Sequence, residues 1–287
     1  MYGAIIGDIV GSKYEGRPIK TKDFPFISRG CTFTDDTVLT IAVARALLKA
    51  GLDDFDGQNT EYFKAVLVQE MQQLGRRFFN AGYGGSFIQW LLTPNPQPYF
   101  SFGNGSAMRV SPCGLIARSM NEALALAQAS AEVTHDHPEG IRGAQAVAAC
   151  VYLAKTGSTK EEIRQYVEAC FYRPLPMVEE IRPAYTFDVT CQGSVPEAIA
   201  CFLESTDYPD ALRNAVSLGG DSDTQAAIAG SIAWSYYRLG AGAKHSQPAA
   251  PQATWCQKLV DDYRIDQMLP EDFVWTIHEF ERTWMAR

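Results

Sequence analysis

The chain has 287 residues, 46% of them hydrophobic and 20% charged, with a net charge of −8 from 25 Lys+Arg against 33 Asp+Glu. This composition excludes a wholly disordered or collagen-like chain, and no apolar run reaches the roughly 20 residues that span a bilayer. The acidic balance argues against a general nucleic-acid or anionic-membrane surface, although an anionic small ligand needs only a local site.

The opening Met1-Tyr2-Gly3-Ala4-Ile5-Ile6-Gly7-Asp8 carries no basic leader and meets Asp8 too early for a signal peptide, so the expected location is the cytoplasm. Thr34 then precedes Asp35-Asp36-Thr37 and an apolar body that ends in Lys49-Ala50-Gly51. A polar cap, acids in the first turn, a late Lys and a closing Gly predict a helix. A second helix is predicted over Thr60–Leu74, from Phe63, Val66, Leu67, Met71 and Leu74 at 3–4 spacing. Further helices are expected at 105–118, 121–133, 138–156, 159–171, 196–205, 208–218, 222–239, 252–263 and 270–285. Pro138 fits a first helical residue, Gly157 a helix end, and Ser194-Val195-Pro196-Glu197 a capping box. The one strand candidate, Tyr185–Thr190, is isolated, so the expected fold is all-α, with helices around one core. Two Pro-rich stretches, 93–104 and 172–193, are irregular but contain aromatics, unlike flexible linkers. The seven cysteines, Cys31, Cys113, Cys150, Cys170, Cys191, Cys201 and Cys256, are odd in number and contain no CxxC, which reads as reduced, mostly buried thiols.

Two helix starts carry more oxygen than a cap needs. Thr34-Asp35-Asp36-Thr37 and Gly219-Gly220-Asp221-Ser222-Asp223-Thr224 each place adjacent or alternating carboxylates beside a threonine. Each alone reads first as an N-cap with dipole-compensating acids. Together they supply Thr34, Asp35, Asp36, Asp221, Asp223 and Thr224, all hard oxygen donors that select Mg²⁺, Mn²⁺ or Ca²⁺ over zinc or copper. The spacing is not that of an EF-hand. The glycine-rich Phe102-Gly103-Asn104-Gly105-Ser106 opens another helix and offers free backbone N–H groups suited to a diphosphate, or serves simply as a turn. His135-Asp136-His137 lacks further ligands at zinc spacing, and His137 before Pro138 reads as a helix-start residue. Tyr83, Phe87, Trp90, Tyr99 and Phe102 are candidates to stack on a base, although most such aromatics are core residues.

The ordered blocks Gly7–Glu15, Phe33–Thr37, Gly103–Arg109 with Pro112, Thr134-His135 and Gly219–Thr224 resemble the ADP-ribosylglycohydrolase family. The resemblance spans residues 3 to about 240 and implies one all-α domain over 1–287, of the orthogonal multi-helix bundle type. It implies two Mg²⁺ or Mn²⁺ ions held by Thr34, Asp35, Asp36, Asp221, Asp223 and Thr224. Gln225 departs from the family pattern, where Asn is expected. By the same resemblance Glu15, which otherwise reads as a solvated loop acid beside Lys13 and Arg17, is the acid on the loop after the first helix that faces the substrate ribose. Glu15 and Asp36 are the catalytic candidates, and Ser101, Phe102, Gly103, Asn104 and His135 the substrate-binding ones, with Arg109 supporting the loop. The implied activity is metal-dependent hydrolysis of the bond between C1″ of ADP-ribose and an acceptor, in an ADP-ribosylated protein or a small conjugate. A binding module without turnover and a phosphohydrolase acting on the diphosphate are the alternatives. No membrane or general nucleic-acid partner is expected, and the expected state is a monomer.

Overall fold

The computed structural model of the chain describes residues 1–51, 60–239 and 258–286. Among these residues there is no β-strand, and the fold is all-α. The helices are α1 (Tyr2–Gly11), α2 (Asp35–Ala50), α3 (Glu61–Arg77), α4 (Gly85–Leu92), α5 (Gly105–Met108), α6 (Ser111–Ile116), α7 (Met120–Glu132), α8 (Pro138–Thr156), α9 (Lys160–Cys170), α10 (Val178–Ile181), α11 (Cys191–Leu203), α12 (Tyr208–Ser217), α13 (Ser222–Leu239) and α14 (Glu271–Ala286). Of the helix expected over 252–263, residues 258–262 are helical, while 252–257, with Cys256, lie outside the described residues. The six described cysteines are free thiols, four of them buried. No described helix is long and apolar enough to cross a membrane.

Local chemistry explains most boundaries. Thr34 caps α2 by accepting from the Asp36 N–H, and Gly51 closes it at φ 62°. The His137 ring accepts from the Glu139 N–H ahead of Pro138, and Gly157 ends α8 in the left-handed region. Thr159 and Glu162 form the capping box of α9. Three expectations change. The helix expected over 105–118 is two, α5 and α6, because Pro112 cannot donate to the carbonyl of residue 108. The Ser194–Glu197 capping box is absent: α11 already starts at Cys191, capped by Thr190, and the Ser194 hydroxyl turns back to the Thr190 carbonyl at 2.6 Å. Tyr185–Thr190 forms no strand, only a bridge between Thr190 and Gly103. Three helices were not foreseen by periodicity: α1, α4 and the four-residue α10. All ten residues of α1 are buried, so it has no polar face to betray a period.

That burial is the organising contact of the fold. Gly3, Gly7 and Gly11 lie four apart, on one face of α1. A Cβ on Gly3 would stand 2.3 Å from the Trp234 Cβ, one on Gly7 2.1 Å from the Ala226 carbonyl, and one on Gly11 2.3 Å from the Ser222 carbonyl. The partners run backwards along α13, so the two helices are antiparallel and touch backbone to backbone. The end of α1 is thereby fixed against the start of α13. Gly7→Ala is therefore expected to lower unfolding stability in urea by at least about 3 kcal/mol, the upper range for overpacking. Gly16→Ala, where a new Cβ meets nothing within 4 Å, is the control and should stay within about 0.5 kcal/mol of the parent. Equal stability of the two variants would refute the close-contact account.

Candidate active site

The antiparallel contact brings three chain segments to one place: the loop after α1, the N-terminus of α2 and the N-terminus of α13. Asp8, near the end of α1 and fully buried, ties the first two together. Its carboxylate accepts from the Thr34 N–H at 2.9 Å, the Thr34 hydroxyl at 2.8 Å, the Thr37 N–H at 3.1 Å and the Thr37 hydroxyl at 2.5 Å. These donors are the free groups at the start of α2, which an anion stabilises. Burial nevertheless pushes the Asp8 carboxyl up to about 6.

Around this anchor the acids converge. One carboxylate oxygen each from Asp8, Asp36 and Asp223 lie within 4.8 Å of one another, and so do those from Glu15, Asp221 and Asp223. Asp36, Asp221, Asp223 and Thr224 are buried, Asp35 is half-buried, and Glu15 is exposed on its turn. Burial, then the neighbouring Asp8 charge, raises Asp35 to about 8 and holds Asp36 well above the usual carboxylate range. Asp223 is pushed up by burial and by Asp36, and Glu15 by burial and by Asp221. The Thr224 hydroxyl donates to Asp36 Oδ2 at 3.3 Å, while Asp36 Oδ1 is buried without any hydrogen-bond partner. Crowded buried carboxylates with an orphaned oxygen fit a hard divalent cation, which supplies the missing positive charge. Three of the four donors are taken by Asp8 Oδ2 and one by Oδ1, so Asp8 ties the cluster to the start of α2 while standing within reach of Asp36 and Asp223.

The acids line a cavity of about 450 Å³, within the range of small-molecule sites. Its second wall is the glycine-rich loop before α5. The Gly103 N–H donates to the Ser101 hydroxyl at 3.1 Å, the Asn104 N–H to the Val189 carbonyl at 2.8 Å, and the Cys191 N–H to the Phe102 carbonyl at 2.9 Å, which fastens the loop to the start of α11. His135 backs this loop. Its third wall is the turn from Gly82 to Ser86 at the start of α4, which reaches Asp35: a Cβ on Gly82 would stand 3.1 Å from Asp35 Oδ1. Phe187 and Val189, both exposed, line the mouth.

The residues singled out from sequence are distributed as follows. Glu15, Asp35, Asp36, Asp221, Asp223, Thr224, Ser101, Gly103, Asn104 and His135 all line the cavity. Thr34 does not; its hydroxyl donates to Asp8 Oδ1 at 2.8 Å. Phe102 points away, with its ring 5.3 Å from that of His137. Asn104 faces the carboxylates as well as the loop, donating to Asp221 Oδ2 at 2.8 Å. Arg109 also lines the cavity; it is fully buried, and its Nη2 donates to the Ser130 carbonyl and the Thr134 hydroxyl. Gln225 donates to the Tyr185 hydroxyl at 2.9 Å behind the Asp221 loop. Of the aromatics, Phe87 and Tyr99 line the cavity, whereas Tyr83 and Trp90 are buried in the ladder Tyr83–Phe87–Trp90, its neighbouring rings 5.1 and 5.3 Å apart. Three features escaped the sequence reading: Asp8, the Gly82–Ser86 wall, and Phe187 with Val189. Asp8 had a signal, a lone carboxylate inside the run Ala4–Val10.

The family model described as ADP-ribosylglycohydrolase matches residues 1–278. The chain is 27% identical to ADP-ribosylhydrolase ARH3 of Homo sapiens, over 83% of this chain and 84% of that protein. It is 26% identical to ADP-ribosylarginine hydrolase Tri1 of Pseudomonas putida (strain GB-1), over 95% of this chain and 76% of that protein. A solved structure titled ADP-ribosylglycohydrolase-related protein complex superposes with a TM-score of 0.67 at 23% identity, covering 99% of this chain and 95% of that one, and so shares the fold. With a family match over nearly its whole length and that family's fold, the chain belongs to the ADP-ribosylglycohydrolase family.

Proposed function

We propose that the protein hydrolyses the bond between C1″ of ADP-ribose and an acceptor, a protein side chain in the favoured case, and releases intact ADP-ribose. The observation that carries this reading is that one cavity is lined both by Glu15, Asp35, Asp36, Asp221 and Asp223 and by the Gly103–Gly105 turn with His135. Asp35, Asp36, Asp221, Asp223 and Thr224, with Thr34 behind them, would hold two Mg²⁺ or Mn²⁺ ions. When bound, these supply positive charge that neutralises the carboxylates and orients the ribose hydroxyls.

The remaining chemistry belongs to this chain. The Gly103 and Asn104 N–H groups are already bonded to Ser101 and Val189, so the diphosphate would be met by the turn at Gly105, where α5 starts, and by the Ser101 and His135 side chains beside it. As the C1″–acceptor bond breaks, the ribose gains oxocarbenium character and water attacks C1″. Glu15 stands on a turn beside Asp221 and Asp223, with a carboxyl raised above the usual range by partial desolvation at the cavity edge and by the Asp221 charge. Such a group suits taking the proton of the attacking water, and Asp36 is the second candidate. The proton taken from the water passes to the departing acceptor atom, so that acceptor–C1″ and water give acceptor–H and ADP-ribose with a C1″ hydroxyl. A monomer in the cytoplasm remains the expected setting.

The test is product analysis by mass after incubation with ADP-ribosylated arginine and serine peptides, with Mg²⁺ and with EDTA. Free ADP-ribose formed only with the metal is the expected result. AMP as product would move the chemistry to the diphosphate, and binding without product would make the protein a reader of ADP-ribose.

A further inference from the structure

Behind the glycine-rich wall, three side chains, Arg109 after α5 and the adjacent Thr134 and His135 after α7, form a directed chain. Arg109 Nη2 donates to the Thr134 hydroxyl at 2.9 Å, and that hydroxyl stands 2.6 Å from His135 Nδ1. All three residues are buried, Arg109 and Thr134 completely. A guanidinium can only donate, so Thr134 Oγ1 accepts from Arg109. Its own hydrogen then has one described partner, His135 Nδ1. Were Nδ1 protonated instead, the Thr134 hydrogen would be buried without an acceptor, at the cost of an unmade hydrogen bond. The arrangement that satisfies every atom leaves Nδ1 as acceptor and puts the ring hydrogen on Nε2. The direction of Nε2 is equally defined. A Cβ on Gly105 would lie 3.2 Å from it and one on Gly103 3.5 Å, so Nε2 faces the turn at the cavity wall. No described group accepts from it.

We infer that Arg109 and Thr134 are positioning residues that hold His135 as the neutral Nε2–H tautomer, making it a fixed hydrogen-bond donor to an anionic or hydroxyl oxygen of the bound ligand. His135 is then neither a metal ligand nor the general base, since its basic nitrogen is occupied. Burial, with the Arg109 cation, also disfavours the imidazolium. The relay itself is independent of what binds; the identity of the accepting oxygen rests on the ADP-ribose reading.

Long-range nitrogen–proton correlation NMR of the free protein tests the relay directly, because the chain has only four histidines. His135 is expected to show the Nε2–H pattern and to keep it from pH 5.5 to 8. Thr134→Ser retains the hydroxyl and should retain the pattern. Thr134→Val removes it, and the pattern should give way to tautomer exchange. ADP-ribose affinity of the Mg²⁺-loaded Thr134→Val protein, measured by calorimetry, should fall about tenfold, as for one hydrogen bond to a charged acceptor, with Thr134→Ser near wild type. An Nδ1–H or protonated His135 in the wild type overturns the relay, as does an unchanged Thr134→Val spectrum. An unchanged affinity alongside a changed spectrum overturns the donor role. Should the wild type bind no ADP-ribose yet show the Nε2–H pattern, the proposed function falls and the relay stands. If Thr134→Val does not fold, the wild-type and Thr134→Ser spectra decide.

Discussion

Asp36→Asn is expected to abolish turnover, by at least about a thousandfold or ~4 kcal/mol of barrier, while the folded protein in EDTA becomes no less stable. Asp36 is buried, its Oδ1 has no partner, and Asp8 and Asp35 repel it. The substitution keeps the shape and removes a charge that the metal-free site tolerates poorly. The same electrostatics give the metal-free wild type a pH dependence. Asp8 is raised to about 6 and Asp35 to about 8, both above the 3.8 of an unburied Asp. A group raised on folding stabilises at low pH, and that contribution disappears as pH rises through the folded value. Melting temperature in EDTA should therefore fall from about pH 4 to pH 8, with a shallower fall in Asp36→Asn. Saturating Mg²⁺ at 100-fold its dissociation constant adds about 2.7 kcal/mol. That amounts to several degrees at roughly 2–4 °C per kcal/mol, and the gain should be missing in the variant. An Asp36→Asn protein that retains the Mg²⁺ shift would remove Asp36 from the cation site; one that melts lower than wild type in EDTA would make its role structural.

Glu15→Gln should retain the melting temperature, the Mg²⁺ shift and ADP-ribose binding within a few-fold, yet lose at least about a hundredfold in turnover. Glu15 is exposed, next to a glycine whose side-chain space is empty, so the fold has little to lose. What it would lose is a carboxylate whose oxygen lies within 4.8 Å of those of Asp221 and Asp223. The loss at the barrier corresponds to about 3 kcal/mol or more at 1.36 kcal/mol per decade. Single-turnover kinetics on an ADP-ribosylated peptide make the measurement. Near wild-type turnover would return Glu15 to a solvated loop acid and move the search for the base to Asp35, Asp36 and Asp221.

Much of the site was legible because helix starts advertise themselves. Thr34-Asp35-Asp36 and Gly219–Thr224 are local signals, readable from side chains one to three residues apart, and both appear where expected. Asn104 was less legible. It reads as a loop residue facing ligand, but its amide nitrogen is committed to Asp221 and Ser194, contacts 117 and 90 residues away. Thr34 reads as a metal donor, and the structure adds that its hydroxyl gives its hydrogen to Asp8, which leaves its lone pairs as the part that a cation could use. Where a hydroxyl's single hydrogen goes depends on neighbours distant in sequence.

The helical class, the caps of α2, α8 and α9, and the oxygen-rich character of two helix starts are properties of short stretches, so the linear sequence carries them by itself. Which of those stretches meet is another matter. Gly3, Gly7 and Gly11 read as three ordinary glycines until α13 lies against them, at distances that no Cβ could share. That contact fixes the end of α1 against the start of α13, and with it Glu15 beside Asp221. Asp8 can bridge α1 to α2 only because burial between them makes four donors its best available partners. Local propensity stabilises each helix by small increments, whereas the register between helices is set by steric exclusion and by buried charges that must find donors. Both depend on atoms distant in sequence, and only the folded chain brings them together.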